Sequence, residues 1–175
     1  MQDKYKLILI MLILSLIPFI AHLYLTISAM YINVSPSLPL GIYKKVYKNN
    51  LEIGDIVITC IPKTVKDLAL SRGYVSFGQC QNSTSPIGKY IIAKKGDYVE
   101  IGVEGIYVNE KLVDYTRPQE IDSNGFLLKP YIMKRKLKDD ELVLANAKID
   151  SFDSRYIGPV KIGDTIAIIE DLYTL

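Results

Sequence analysis

From Leu7 to Tyr43 the chain carries no Asp, Glu, Lys or Arg, and a segment uncharged on every side is not a surface element of a water-soluble domain. Leu7 to Ile27 alone makes a helix of roughly 31 Å, close to the thickness of a hydrocarbon core. Residues 1–30 therefore read as a short start and one transmembrane helix, and residues 31–175 as a separate domain beyond it. Pro18 and His22 fall inside the span, where a proline is accommodated by local adjustment and a lone histidine is a tolerated polar group. A cleavable signal peptide is the competing reading, because Lys4 and Lys6 form a basic start and Thr26-Ile27-Ser28 ends in small residues. Its apolar core would be too long, so a retained anchor is expected. Lys4 and Lys6 put the N-terminus on the cytoplasmic side, and the lack of a basic residue from Ile27 to Tyr43 puts the domain on the other.

A domain on the outer side meets an oxidising compartment, where Cys60 and Cys80 are expected to pair. The disulfide would close a loop of about twenty residues and stabilise by about 3 kcal/mol in the chain-entropy model. Two cysteines do not complete a structural zinc site, and no metal or cofactor is expected. A net charge of +2 with scattered acids and bases makes no case for nucleic acid as a partner. The densest basic run, Lys129 to Lys138, is either a solvated face or a contact with anionic headgroups.

Most of the outer part reads as strands. Gly-Asp precedes β-rich text three times, as Gly54-Asp55 before Ile56-Val57-Ile58, Gly96-Asp97 before Tyr98-Val99 and Gly163-Asp164 before Thr165 to Ile168, and each looks like a turn feeding a strand. Ile106-Tyr107-Val108 and Lys111-Leu112-Val113, joined by Asn109-Glu110, suit a hairpin with Asn109 at positive φ. The helical exception is Val65 to Arg72, with Thr64 and Asp67 near capping-box spacing and Gly73 placed to end it.

The chemistry narrows by elimination. His22 is the one histidine, and inside a membrane it cannot serve as base to an outer serine, which excludes a Ser-His-Asp triad. No His-Glu-x-x-His pattern offers zinc hydrolysis. If a serine is the nucleophile, lysine is the natural base, and it acts only when burial lowers its usual pKa of about 10.4. Lys89, within Pro86-Ile87-Gly88-Lys89-Tyr90-Ile91-Ile92-Ala93, has the apolar surroundings this requires. Lys94 and Lys95 adjoin the Gly96 turn and are expected to be solvated. An edge-strand lysine that discourages aggregation is the alternative meaning of Lys89.

Three blocks in order then resemble type I signal peptidases, more closely the conjugative-transfer signal peptidases of the TraF type. Ser35-Pro36-Ser37-Leu38-Pro39-Leu40-Gly41-Ile42-Tyr43, with Asn33 ahead of it, is similar to the family's nucleophile segment in its Ser-x-Pro form, which places Ser37 in the catalytic position. Lys89, seven residues before Gly96 and eight before Asp97, matches the spacing of Lys-Arg-x-x-x-x-Pro-Gly-Asp, with Tyr90 in place of Arg and Lys95 in place of Pro. Ser151-Phe152-Asp153-Ser154-Arg155-Tyr156-Ile157-Gly158 resembles the Ser-x-Asp-Ser-Arg-x-x-Gly block. Between the first two, Ala69 to Tyr74 with Gly78 and Cys80 resembles an insertion of the TraF branch. Ala145-Asn146-Ala147 departs from the Gly-Asp-Asn frequent in relatives.

The resemblance implies a mainly β fold: an antiparallel, partly barrel-like catalytic domain with a small β extension, tethered by the N-terminal helix. It implies acyl transfer, with neutral Lys89 taking the proton from Ser37 and an oxyanion held by the Ser37 amide and the Ser35 hydroxyl, Pro36 stiffening the loop between them. Ser151 resembles the serine that orients the lysine, and Asp153 with Arg155 a supporting charge pair. The implied protein is a serine endopeptidase of the bacterial inner membrane, single-pass, with its catalytic domain on the periplasmic side. It processes exported precursor polypeptides, most plausibly a pilin of a conjugation or type IV secretion apparatus, which some relatives close into a ring. A catalytically silent anchored β scaffold of a secretion complex and a general secretory signal peptidase are the other readings.

Overall fold

The computed structural model describes residues 2–35 and 37–174; Pro36, expected to stiffen the serine loop, lies outside the described residues. The N-terminal helix α1 (Gln2–Ile27) contains Pro18. From Lys4 to Tyr24 it is long and apolar enough to cross a membrane, and the rest of the protein covers none of that stretch. Length and composition of this kind suit an anchor and a signal sequence alike.

Beyond α1 the chain is mainly β. Strand β1 (Met30–Asn33) pairs antiparallel with β2 (Gly41–Val46), Asn33 lying opposite Gly41. The expected nucleophile segment is therefore the loop of a hairpin whose two ends are fixed by a strand pair. The remaining strands of the large sheet are β3 (Ile56–Thr59), β4 (Ile87–Ala93), β9 (Glu141–Ala145), β10 (Val160–Lys161) and β11 (Thr165–Thr174). β3 and β9 are rich in Val, Ile and Leu because both of their faces are covered, whereas the second half of β11 is largely exposed. The order across the sheet is β1-β2-β11-β3-β4-β9-β10, so the last long strand slots between two of the earliest. A smaller sheet, ordered β7-β6-β5-β8, is built from β5 (Tyr98–Gly102), β6 (Gly105–Val108), β7 (Lys111–Leu112) and β8 (Met133–Lys136).

Three apolar clusters hold these layers together. Val57, Ile61, Ile91, Leu142 and Leu144 fill one face of the large sheet under the segment from Ala69 to Val75. Ala93, Val143 and Ala145 meet Val99, Ile101, Ile106 and Met133 of the small sheet. Leu38, Tyr43, Ile56, Ala167 and Ile169 form the third, beside the hairpin loop. Ile91 and Ala93, two positions apart, would share a face of a regular strand, yet they enter different clusters. A register shift against β9 between them adds a residue to β4 and turns the strand over, as a bulge does.

The expected turns divide into two kinds. Gly54 and Gly96 adopt positive φ, and the following aspartates accept backbone N–H bonds from three residues back, Glu52 to Asp55 at 2.8 Å and Lys94 to Asp97 at 2.9 Å. Gly163-Asp164 instead lies in a short 3-10 turn, Ile162–Asp164, whose Asp164 carbonyl accepts from Cys60 N at 3.0 Å. Asn109 and Glu110 both take positive φ, 49° and 69°, which is the turn a two-residue hairpin needs.

The helix expected over Val65 to Arg72 is shorter. A 3-10 turn, Lys63–Val65, follows Pro62, and α2 runs over Lys66–Ser71 with no side-chain cap at its start. The Pro62 carbonyl takes Val65 N at 3.2 Å, which spends the first turn outside the α-helix. Gly73, at φ 70°, ends the helix as expected, with Tyr74 N bonded to Ala69 O at 2.9 Å. Cys60 and Cys80 are bonded, their Cα atoms 5.7 Å apart. Over β8 the basic run is paired with acids: Lys134 lies 2.7 Å from Glu100, and Arg135 donates to both oxygens of Glu141 at 2.6 and 3.0 Å.

Candidate active site

Alternation along β4 decides the environment of Lys89. Its side chain points to the same face as Ile91, toward the cluster of Val57, Ile61 and Leu144, and it lies opposite Val57 on β3. It is 3% exposed. Burial lowers its pKa from 10.5 to about 8. Nearby charges act in opposite directions: Asp153 raises the value while Arg155 lowers it, and Asp150 raises it while Lys148 lowers it. Desolvation therefore settles the direction, which is what the apolar text around Lys89 led us to expect. The alternative of a solvated edge-strand lysine fails, since the side chain is buried and lies opposite Val57 of β3.

Lys89 Nζ is 2.9 Å from Ser151 Oγ, a bond between two buried groups. Ser35, Ser37, Lys89 and Ser151 line one cavity of about 300 Å³, together with Tyr74, Ile87 and Phe152. The Tyr74 and Phe152 rings meet with centroids 4.5 Å apart, and the Tyr74 hydroxyl donates to Asp122. The segment inside the disulfide loop thus supplies a wall of the cavity.

Two asparagines shape the Ser37 loop. Asn33 Nδ2 donates to the carbonyls of Ser35, Leu38 and Pro39 at 2.9, 3.0 and 3.0 Å, and its Oδ1 accepts from Ser35 N at 3.1 Å and Ser35 Oγ at 2.7 Å. Ser35 and Ser37 hydroxyls are 3.2 Å apart. Since an amide oxygen only accepts, Ser35 spends its proton on Asn33, and Ser37 is the donor between the serines. On the sheet side, Leu38 is buried against Gly88, where an added Cβ would come within 2.8 Å of Leu38 Cδ1. Asn146 Nδ2 donates to the Ser37 carbonyl.

The third block is locked by Asp153 and Arg155, both 0% exposed. Arg155 Nε and Nη2 donate to the two Asp153 oxygens at 2.8 and 2.9 Å, and the guanidinium also donates to Ile149 O at 3.0 Å and Asn146 O at 3.2 Å. Asp153 caps the short helix α3 (Ser154–Ile157) by accepting from Arg155 N at 3.2 Å, and it accepts from Asn146 N at 3.2 Å. The expected charge pair is a satisfied interior pair. Gly158 ends α3 at φ 73° with its Cα against the Tyr131 ring, where a Cβ would come within 2.8 Å.

Ser35, Ser37, Lys89 and Ser151 line this cavity, Asp153 and Arg155 lock the block that carries Ser151, and Cys60 and Cys80 line a different cavity. Reading the sequence missed the part played by Asn146 and named Asn33 without a role. The available signal was an amide directly after the apolar strand Glu141–Ala145, since a buried polar group at a strand end needs partners.

The family model described as signal peptidase, peptidase S26, matches residues 2–172. A plasmid transfer protein TraF from Escherichia coli is 30% identical over 146 residues, covering 82% of each chain. A probable conjugal transfer protein TraF from Sinorhizobium fredii is 31% identical over 145 residues, covering 82% of this chain and 76% of its own. The crystal structure of a signal peptidase I from Enterococcus faecalis V583 superimposes on 70% of this chain and 98% of its own with a TM-score of 0.39 and 14% identity. By its near-complete match to the family model, the chain belongs to the signal peptidase family, peptidase S26.

Proposed function

We propose that this protein is a membrane-anchored serine endopeptidase that cleaves exported precursors on the outer side of the bacterial cytoplasmic membrane, with Ser37 as nucleophile and Lys89 as general base. The carrying observation is a single cavity shared by Ser37 and a buried lysine whose pKa is held near 8. A neutral lysine has one lone pair. With one N–H given to Ser151, that lone pair is free to turn to Ser37.

In the first half-reaction Lys89 Nζ takes the Ser37 proton and the serine oxygen bonds to the scissile carbonyl carbon. The oxyanion forms against the Ser37 backbone N–H and the Ser35 hydroxyl. The latter role requires the Ser35 proton to turn away from Asn33, toward a stronger, charged acceptor. Collapse breaks the C–N bond, and the proton on Lys89 leaves with the amine. Water, activated by the same lysine, then hydrolyses the acyl-enzyme. Asp153 and Arg155 hold Ser151 and its block in place without adding net charge beside the base.

The names of the relatives place them in plasmid and conjugal transfer. The substrate in keeping with them is an exported pilin precursor of a conjugation or type IV secretion machine. Residues 31–175 form the catalytic domain, and α1 keeps it at the membrane where such a precursor emerges. If an amine replaces water as acceptor, the product closes into a ring, lighter by one water than the hydrolysed peptide.

Because only the neutral amine acts as base, cleavage of a precursor peptide is expected to rise with pH through about 8 and to level off above it. Lys89→Arg, charged at every accessible pH, is expected to be inactive. A flat profile between about pH 6 and about pH 9, or an active Lys89→Arg protein with an unchanged profile, contradicts the dyad.

A further inference from the structure

Strand β9 ends at Ala145, opposite Tyr90, while β4 continues back through Lys89 and Gly88 to Ile87 without β9 beside it. The side chain of Asn146 takes over the ladder at that point. Its Oδ1 accepts from Tyr90 N at 3.4 Å and its Nδ2 lies 3.4 Å from Gly88 O, one residue on each side of Lys89. The same Nδ2 donates to the Ser37 carbonyl. The backbone of Asn146 is anchored in turn, its N–H on Asp153 Oδ2 and its carbonyl on Arg155 Nη2, each at 3.2 Å. The residue is 3% exposed.

We propose that Asn146 is a positioning residue that sets the approach of Ser37 to Lys89, clasping the nucleophile loop to the strand that carries the base. The proposal rests on the peptidase reading above. A carboxamide has both the donor that two carbonyls need and the acceptor that the Tyr90 N–H needs. It brings no charge to a cavity whose base works only when neutral. The inner bonds of Asn33 fix the shape of the loop, and Leu38 seats its apolar side. Asn146 fixes the carbonyl of the reacting residue itself, and with it the direction of the Ser37 side chain relative to β4.

Two substitutions separate positioning from plain structural support. Asn146→Ala removes the clasp and adds no charge. We expect a fall in kcat of about 10- to 100-fold with KM little changed, since a misplacement of about 1 Å costs on this order, and an unmoved pH midpoint. Asn146→Asp keeps the shape but sets a carboxylate against two carbonyls and beside Lys89. The charged groups already acting on that lysine are Asp153, Arg155, Asp150 and Lys148, and a further anion favours the ammonium. We expect the kcat loss again, with the midpoint moved up by about one pH unit.

Wild-type kinetics in Asn146→Ala, or an unmoved midpoint in a folded Asn146→Asp protein, overturn the proposal. If neither variant folds, 15N NMR of the wild-type Asn146 side-chain amide carries the test: slow proton exchange supports the clasp and rapid exchange contradicts it. The peptidase reading fails separately, if Ser37→Ala still cleaves. Asn146→Ala at full rate beside an inactive Ser37→Ala protein sinks the positioning role alone.

Discussion

Ser37→Ala is expected to abolish precursor cleavage, with a loss of roughly ten-thousand-fold or more in kcat, while the folded protein stays within about 0.5 kcal/mol of the parent. The two halves of that expectation have separate grounds. Ser37 lines the cavity of the buried lysine and is the proposed nucleophile, so on that reading its removal takes away the attacking atom. The loop does not depend on that atom. It is held through the carbonyls of Ser35, Ser37, Leu38 and Pro39, by Asn33 and Asn146, and through the buried Leu38 side chain. Alanine keeps all of these. Precursor maturation in cells lacking the native protein is the companion readout. A silent β scaffold would be complemented by Ser37→Ala, whereas a peptidase would not.

Asp153→Ala is expected to cost about 3–5 kcal/mol of folding stability, read as a drop in the denaturant midpoint at unchanged slope. The guanidinium of Arg155 is fully buried, and the Asp153 carboxylate is its counter-ion on two oxygens. Truncation leaves a cation in the interior whose remaining acceptors, among the described residues, are the Ile149 and Asn146 carbonyls. It also removes the cap of α3 and the acceptor of the Asn146 N–H. The loss takes a large share of the 5–15 kcal/mol typical of a domain. A cost below about 1 kcal/mol is what an exposed pair would show and would contradict this description.

Much of the site was legible in the chain because its chemistry is local in text. A lysine flanked by Ile87, Ile91 and Ile92 announces burial, whereas the meeting of Ser37, Lys89 and Ser151 is expected from the resemblance of three blocks to one family. The hairpin at Asn109-Glu110 and the Gly54 and Gly96 turns follow from residues that tolerate positive φ. Three features were hidden for a common reason, since each depends on partners distant in sequence. Lys89, Ile91 and Ala93 read as one strand face, and only the register against β9 reveals the bulge. Asp153 and Arg155 read as a charge pair, but their complete burial is set by how the Ile149 segment and β9 close over them. The value of Asn33 and Asn146 lies in carbonyls across the Ser37 loop and β4, which no residue identity announces.

The central claim is that Ser37 carries the acyl group. It is tested most directly by mixing purified protein with a precursor peptide at about pH 9, where Lys89 is mostly neutral, quenching in acid within the first turnovers, and digesting for mass spectrometry. The account predicts that the part of the precursor before the cleavage site is found esterified to the peptide containing Ser37, and lost in Ser37→Ala and Lys89→Arg. An adduct on Ser35, on Ser151 or on any other residue would contradict it.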